Sequence, residues 1–300
     1  MTDSPDSIVI VGAGQAGAQT AISLRQAGFE GSVTLLGSEP QIPYERPPLS
    51  KKFLADQLCM RAPDFYTDKN IAIRTNTNVS RIDRNTNRVH LAGEAEISYT
   101  KLVLTTGGRV RKMSCPGADL PGIHYLRTIN DVETFRIKGL GDVLSHTGIA
   151  IKRGCSVTVL EMMPLVLNRV VAPEMSEFYA GVHRAEGVNI RTSTSVTAFE
   201  GEGRIERVVC GAEKFEADLV IVGIGILPNG RLRLESVPNA LAQGKTAALA
   251  ALDRPEPYAE VPWFWSDQYD LKLQMTGLSN PGDHIVIRGN MAERRFSACY

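Results

Sequence analysis

Gly12, Gly14 and Gly17 are spaced as G-x-G-x-x-G, with Ala13, Gln15 and Ala16 between them. This spacing suits the binding of a pyrophosphate. Gly12 permits a tight turn out of a strand, Gly14 lets the backbone approach the phosphates, and Gly17 lets helix and strand pack closely. The phosphates would lie on free N–H groups at a helix N-terminus, where the macrodipole is positive. Further along, Glu39 is placed to accept hydrogen bonds from an adenosine ribose.

These groups need a strand, a helix and a second strand to position them. The apolar run Ile8-Val9-Ile10-Val11 leads directly into Gly12. A helix-like segment runs from Ala18 to Ala27, and Val33-Thr34-Leu35-Leu36 comes shortly before Glu39. A lone glycine fingerprint is a weak signal. With strand, helix, second strand and acidic residue all in place, it predicts a dinucleotide-binding unit rather than a structural Gly-rich turn.

Composition bounds the rest. A chain of 300 residues suggests two domains. Its 33 Lys and Arg balance 33 Asp and Glu, so nothing points to nucleic acid or an anionic membrane surface as a partner. No apolar run approaches membrane-spanning length. The polar, acidic stretch Met1 to Ser7 does not read as a signal peptide, so a cytoplasmic location is expected. Cys59, Cys115, Cys155, Cys210 and Cys299 are far apart, which argues against a metal site and against a dithiol redox pair. His90, His124, His146, His183 and His284 are scattered, without ligand spacing.

The chain repeats itself imperfectly. Ile73-Arg74-Thr75-Asn76-Thr77-Asn78-Val79 matches Ile190-Arg191-Thr192-Ser193-Thr194-Ser195-Val196. Leu102-Val103-Leu104 matches Leu219-Val220-Ile221, and Ser32 to Leu36 matches Ser156 to Leu160. Two similar dinucleotide-binding halves are implied. The second should open with its own fingerprint, yet Phe135 to Leu144 carries Arg136 and Lys138 where a buried strand should be apolar. Gly139 and Gly141 imitate the first two glycines, Asp142 would oppose a pyrophosphate, and Leu144 stands in the third glycine's place. The segment reads as a damaged fingerprint, or equally as an ordinary loop and helix. Glu161 stands in a ribose-binding position without a sound phosphate cradle.

Longer strings are more specific. Pro43-Tyr44-Glu45-Arg46-Pro47-Pro48-Leu49-Ser50-Lys51, Leu126-Arg127-Thr128 with Asp131, Leu234 to Ala240, and Trp263-Phe264-Trp265-Ser266-Asp267-Gln268 join the N-terminal fingerprint. Together, along nearly the whole chain, they resemble the FAD-dependent ferredoxin reductases, of the type that serves putidaredoxin and the aromatic-ring dioxygenases. That family lies within the pyridine nucleotide-disulphide oxidoreductase superfamily. The resemblance implies transfer of electrons from NADH through FAD to a small iron–sulfur ferredoxin of an oxygenase system. It implies that Gly12, Ala13, Gly14, Gln15, Ala16 and Gly17 hold the FAD pyrophosphate and Glu39 its ribose. Arg46 and Lys51 would lie near phosphate and flavin, with Lys51 tuning the ring. Val79 would line the adenine site, Thr106 and Gly107 would close over the dinucleotide, and Arg127 would contact FAD. Glu235, Ser236 and Val237 resemble a stretch beside the isoalloxazine ring, and Trp263 and Trp265 would lie near the flavin face and the ferredoxin-docking surface. Glu161 and Gly225 would touch NADH. Each residue keeps a plainer alternative: surface cations for Arg46, Lys51 and Arg127, and core residues for Val79 and the tryptophans.

The chain departs from the family in three places. The second fingerprint is degraded. After Ile226-Leu227-Pro228-Asn229 the sequence passes directly to Gly230-Arg231-Leu232-Arg233, without the strand and Gly-Asp whose Asp binds the FAD ribityl chain. Gly141-Asp142 and Gly282-Asp283 have the dipeptide without the apolar run. Finally, the end at Tyr300 reads as truncation within the C-terminal domain.

The expected fold is therefore α/β. It comprises two Rossmann-like dinucleotide-binding units, the second incomplete, and a truncated α+β C-terminal domain. The expected division is 1–110 with 230–258 for FAD, 111–229 as a degraded NAD-binding-like domain, and 259–300 as the C-terminal part. The function expected is an impaired ferredoxin reductase, with FAD held weakly and NADH use in doubt. The rival reading is a non-catalytic remnant or binding surface. The oligomeric state is not legible.

Overall fold

The structure, a computed structural model, describes residues 6–50, 58–135, 150–151, 154–168, 171–227, 236–278 and 282–300. Lys51, the segment Arg136 to Leu144 with its imitation glycines, and Glu235 lie outside the described residues. The chain forms two compact units. The first contains the described residues of Met1–Glu45, Leu54–Arg109 and Pro228–Phe264, and the second those of Arg46–Phe53, Val110–Leu227 and Trp265–Tyr300. The longer helices are α1 (Gln15–Gln26), α2 (Pro173–Ala185) and α3 (Val237–Ala251).

In the first unit, strands β1 (Ser7–Val11), β2 (Ser32–Leu36), β3 (Ile71–Arg74) and β4 (Lys101–Leu104) form a parallel sheet in the order β3-β2-β1-β4. The central strand explains its own apolar run. Side chains alternate across a strand, so Ile8 and Ile10 face one core with Ala21 and Leu24 of α1 and Ala248 of α3. Val9 faces another, with Leu36, Val89 and Leu91. The last two come from an antiparallel sheet of Val79–Asp83, Arg88–Leu91 and Glu96–Ser98. A strand covered on both faces needs no polar alternation.

The two helices of this unit meet through small residues. A Cβ on Gly244 of α3 would stand 2.6 Å from the Ala16 carbonyl oxygen. The buried Thr20 hydroxyl donates across the same contact to the Gly244 oxygen at 3.1 Å.

The second unit is built from smaller pieces. Strands β5 (Ile123–Tyr125) and β8 (Val220–Val222) pair in parallel. So do β6 (Thr158–Leu160) and β7 (Asn189–Arg191). The repeat segments from Ser156 to Leu160 and from Leu219 to Ile221 thus contribute strands, but among the described residues these lie in separate two-stranded sheets. Phe199, Ile205 and Val208 form a further core under an antiparallel sheet of Ala198–Glu200, Arg207–Cys210 and Glu213–Glu216.

At the C-terminal end, β9 (Trp263–Gln268) and β10 (Leu271–Thr276) pair, as do Val286–Asn290 and Arg295–Cys299. Helix α2 is the platform for this end. Its Met175, Tyr179 and Val182 bury Leu271, and Phe178 meets the Phe296 ring edge-on at 5.0 Å. The α/β architecture with a small C-terminal part is the one expected, the first from the apolar runs and the second from the family resemblance.

Candidate functional site: a dinucleotide cradle

The turn from β1 into α1 is built by three glycines with three different surroundings. Gly12 has φ of 114°, and a Cβ there would stand 2.2 Å from the Thr105 carbonyl oxygen. Its N–H donates to Leu36 O at 2.8 Å, which ties the turn to β2. A Cβ on Gly17 would stand 2.0 Å from Gly12 O and 3.1 Å from Leu35 Cδ1. Gly14 is the opposite case: a Cβ there would have no heavy atom within 4 Å. Two glycines are therefore required by the protein's own packing, while the middle one borders open space.

That open space lies at the start of α1. Gly14 is the N-cap, no side chain caps the helix, and its first turn contains no acidic residue. The first amides of a helix have no partner within it, and here no carboxylate in the turn offsets their partial positive charge. An anion is the natural complement. The residues present fit the diphosphate of FAD.

Thr105 was not legible as a site residue, yet it locks this turn. Its N–H donates to Val11 O at 2.8 Å and its hydroxyl to Gly12 O at 2.8 Å. The only signal was its place between the β4 run and Thr106-Gly107. Those two residues follow it at the surface, and Gly107 has φ of 64°.

Glu39 lies beyond β2, half-buried. Its loop is held close to the cradle, because a Cβ on Gly37 would stand 2.7 Å from Ala13 Cβ. The Glu39 carbonyl accepts from Asn76 N at 3.0 Å, and its Oε2 accepts from the Tyr44 hydroxyl at 2.5 Å. Val79 is half-buried against the core of Val9, Leu36, Val89 and Leu91. Val237 opens α3 behind Ser236, whose hydroxyl caps the helix by accepting from Asn239 N at 3.3 Å.

The remaining candidates belong to the second unit. Arg46 Nη1 donates to Arg127 O at 2.7 Å, so these two residues meet. The Asp131 carboxylate holds the same loop, accepting from Arg127 N at 2.8 Å and Thr128 N at 2.7 Å. Trp265 lies half-buried on β9. Glu161 follows β6, and its carboxylate accepts from Met163 N at 2.8 Å. Gly225, with φ of 88°, accepts from Arg111 N at 2.9 Å. Among the described residues no group of His, Cys, Asp or Glu could hold a metal ion. Among the same residues no helix is long and apolar enough to cross a membrane.

A parallel sheet in this order, with a glycine turn feeding an uncapped helix, defines a dinucleotide-binding protein of the Rossmann class. Residues 6–247 match the family model described as pyridine nucleotide-disulphide oxidoreductase, and residues 263–300 match the one described as reductase C-terminal. The chain belongs to the pyridine nucleotide-disulphide oxidoreductase family, and within it to the ferredoxin and putidaredoxin reductase type.

A ferredoxin–NAD(P)(+) reductase of Sphingomonas sp. is 36% identical over 363 residues, which cover 100% of this chain and 88% of that protein. Because this chain has only 300 residues, that alignment bridges stretches it lacks. Putidaredoxin reductase of Pseudomonas putida is 35% identical, over 98% of this chain and 86% of its own length. The crystal structure of a covalent putidaredoxin reductase–putidaredoxin complex matches at a TM-score of 0.89 with 34% identity, covering 98% of this chain and 86% of that one. The ferredoxin reductase for the CYP199A2 system of Rhodopseudomonas palustris matches at a TM-score of 0.93 with 33% identity, covering 98% and 88%. Proteins of this family are FAD-dependent and use NAD(P)H.

Proposed function

We propose that this protein is a flavoprotein reductase that holds FAD in the first unit and delivers electrons to a small iron–sulfur ferredoxin in the cytoplasm. The observation that carries this reading is the open space at Gly14 above an uncapped helix, in a family of ferredoxin reductases. The backbone amides of Gly14 to Gly17 would hold the diphosphate and Glu39 the adenosine ribose. Arg46 and Arg127 would bring positive charge to the cofactor. Thr106 and Gly107 would close over it, and Val79, Glu235, Val237 and Trp265 would complete its surroundings. FAD, when bound, supplies the acceptance of hydride and its release as single electrons. The chain's own part is placement and electrostatics, with no acid or nucleophile of its own needed at the centre.

We further propose that the activity is weak. The stretches bridged in the alignment to relatives, and the missing strand with Gly-Asp, would remove partners for the ribityl chain. By sequence, Asp142 would oppose a pyrophosphate in the second half. In the first unit β4 is the last strand of the sheet among the described residues, and its Leu104 is 56% exposed. The same exposure favours a second reading, a non-catalytic remnant. Purification separates the two. A yellow protein with flavin near one per chain supports the reductase, and a colourless protein that takes up no added FAD rejects it.

A further inference from the structure

We infer that Tyr44 is a positioning residue for the adenosine end of the cofactor site, holding the Glu39 carboxylate in the orientation that meets the ribose. This inference rests on the flavoprotein reading above.

Tyr44 is only 5% exposed, and its hydroxyl donates to Glu39 Oε2 at 2.5 Å. Its backbone is fixed by a short antiparallel strip. Tyr44 bridges Cys59, Glu45 N donates to Leu58 O at 2.8 Å, and Met60 N donates to Pro43 O at 3.0 Å. Leu58 is almost fully buried, so the strip is anchored in the protein. Glu39 stands in the loop after β2, half-buried.

An unrestrained glutamate would have to be ordered by the ligand, at a cost in side-chain entropy. A buried phenol fixed by its own strip has already been ordered by folding. A hydrogen bond to an ionised carboxylate is among the stronger ones. A carboxylate has about four lone-pair sites, and Tyr44 takes one of them. The effect is pre-organisation: affinity rises because the carboxylate no longer has to be ordered on binding. Tyr44 thereby joins Pro43-Tyr44-Glu45 to the cradle, through a residue that would not itself touch the cofactor.

The test uses the full-length apoprotein, with ADP as the probe for the adenosine diphosphate half of FAD and 2′,3′-dideoxy-ADP as its partner lacking the ribose hydroxyls. Calorimetric titration gives both affinities, and their ratio measures recognition of the ribose. Tyr44→Phe keeps the ring and deletes the hydroxyl. It is expected to weaken ADP binding on the order of tenfold, to leave the dideoxy analogue almost unchanged, and to keep the thermal midpoint of the apoprotein. A thermal midpoint lowered with an unchanged ratio would make Tyr44 a core residue only and overturn the inference. An unchanged ratio in a stable variant overturns it equally. Glu39→Gln provides a second reading should Tyr44→Phe fold poorly: the ratio must collapse there too, and its survival overturns the inference. A wild-type protein that binds neither nucleotide overturns this inference together with the flavoprotein reading. Wild-type recognition that survives Tyr44→Phe overturns this inference alone.

Discussion

Asn76 and Ser193 occupy the same left-handed backbone position, with φ of 50° and 53°. Each sits one residue past a threonine that follows a parallel strand, and the hydrogen bonds around them coincide. Thr77 Oγ1 donates to Thr75 O at 2.8 Å, and Thr194 Oγ1 donates to Thr192 O at 2.9 Å. Gly37 N reaches Arg74 O at 2.9 Å, and Glu161 N reaches Arg191 O at the same distance. The internal repeat is thus a repeat of individual bonds. Its register equates Gly37 with Glu161 and Glu39 with Met163, so the two acidic residues are not equivalents. Glu161 stands at the end of its strand, and Glu39 two residues further along its loop.

The glycines separate binding from folding. Gly14→Val puts its side chain into open space, so the apoprotein should keep its thermal midpoint while flavin binding is lost. Gly12→Ala and Gly17→Ala drive a Cβ into backbone oxygens and should destabilise the fold itself. Thermal melts beside flavin titrations check both outcomes. Flavin binding that survives Gly14→Val would locate the site elsewhere.

Reduction by NADH should be slow or absent even in FAD-loaded protein. Hydride transfer needs the nicotinamide held against the ring, and a misplacement of about 1 Å can cost on the order of a hundredfold. Glu161 does not stand at the position equivalent to Glu39, and Asp142 would oppose the pyrophosphate. Rapid mixing with excess NADH, followed by flavin absorbance, is the measurement. Fast and complete bleaching would mean that Gly139 to Leu144 forms a working loop.

Tyr66 contributes a buried hydroxyl that finds no hydrogen-bond partner among the described residues, in the core under α1. Burial pushes its phenol up to about 12, with Arg61 opposing. Because an unsatisfied buried polar group is costly, Tyr66→Phe should stabilise the protein by about 1 kcal/mol. Urea midpoints of the two proteins decide it, and a loss of similar size would show that the hydroxyl has a partner in solution.

His183 on α2 makes the second unit acid-sensitive. Its Nδ1 lies 2.8 Å from the Tyr269 hydroxyl and its Nε2 3.0 Å from Gln268 Oε1. Burial holds the imidazole below its ordinary value, against the opposing pull of Gln268 and Glu186. The unfolded histidine therefore takes up its proton first as pH falls. Stability from this group is full above about pH 6.5 and declines below it towards the lower folded value. Urea midpoints at about pH 7.5 and about pH 5.5 should differ more in the wild type than in His183→Gln.

The β1–α1–β2 unit was readable residue by residue. Its apolar runs are buried on both faces, and its glycines fall in one short G-x-G-x-x-G turn, so the unit leaves a local mark in the order of amino acids. The repeat was readable for the same reason, since equivalent turns call for the same Thr-x-Thr spacing. Thr105 and Gly244 carried no such mark, and Tyr44 stood in a specific string without a role of its own. Thr105 closes the cradle from 93 residues away, and Gly244 receives Thr20 across 224. Nor could the order of residues say that α2 would carry the C-terminal hairpins, or that β6 and β8 would pair with separate partners. Such contacts depend on which surfaces meet after the chain has folded. Hydrophobic burial is non-directional, so an apolar face announces that it will be covered without naming what covers it.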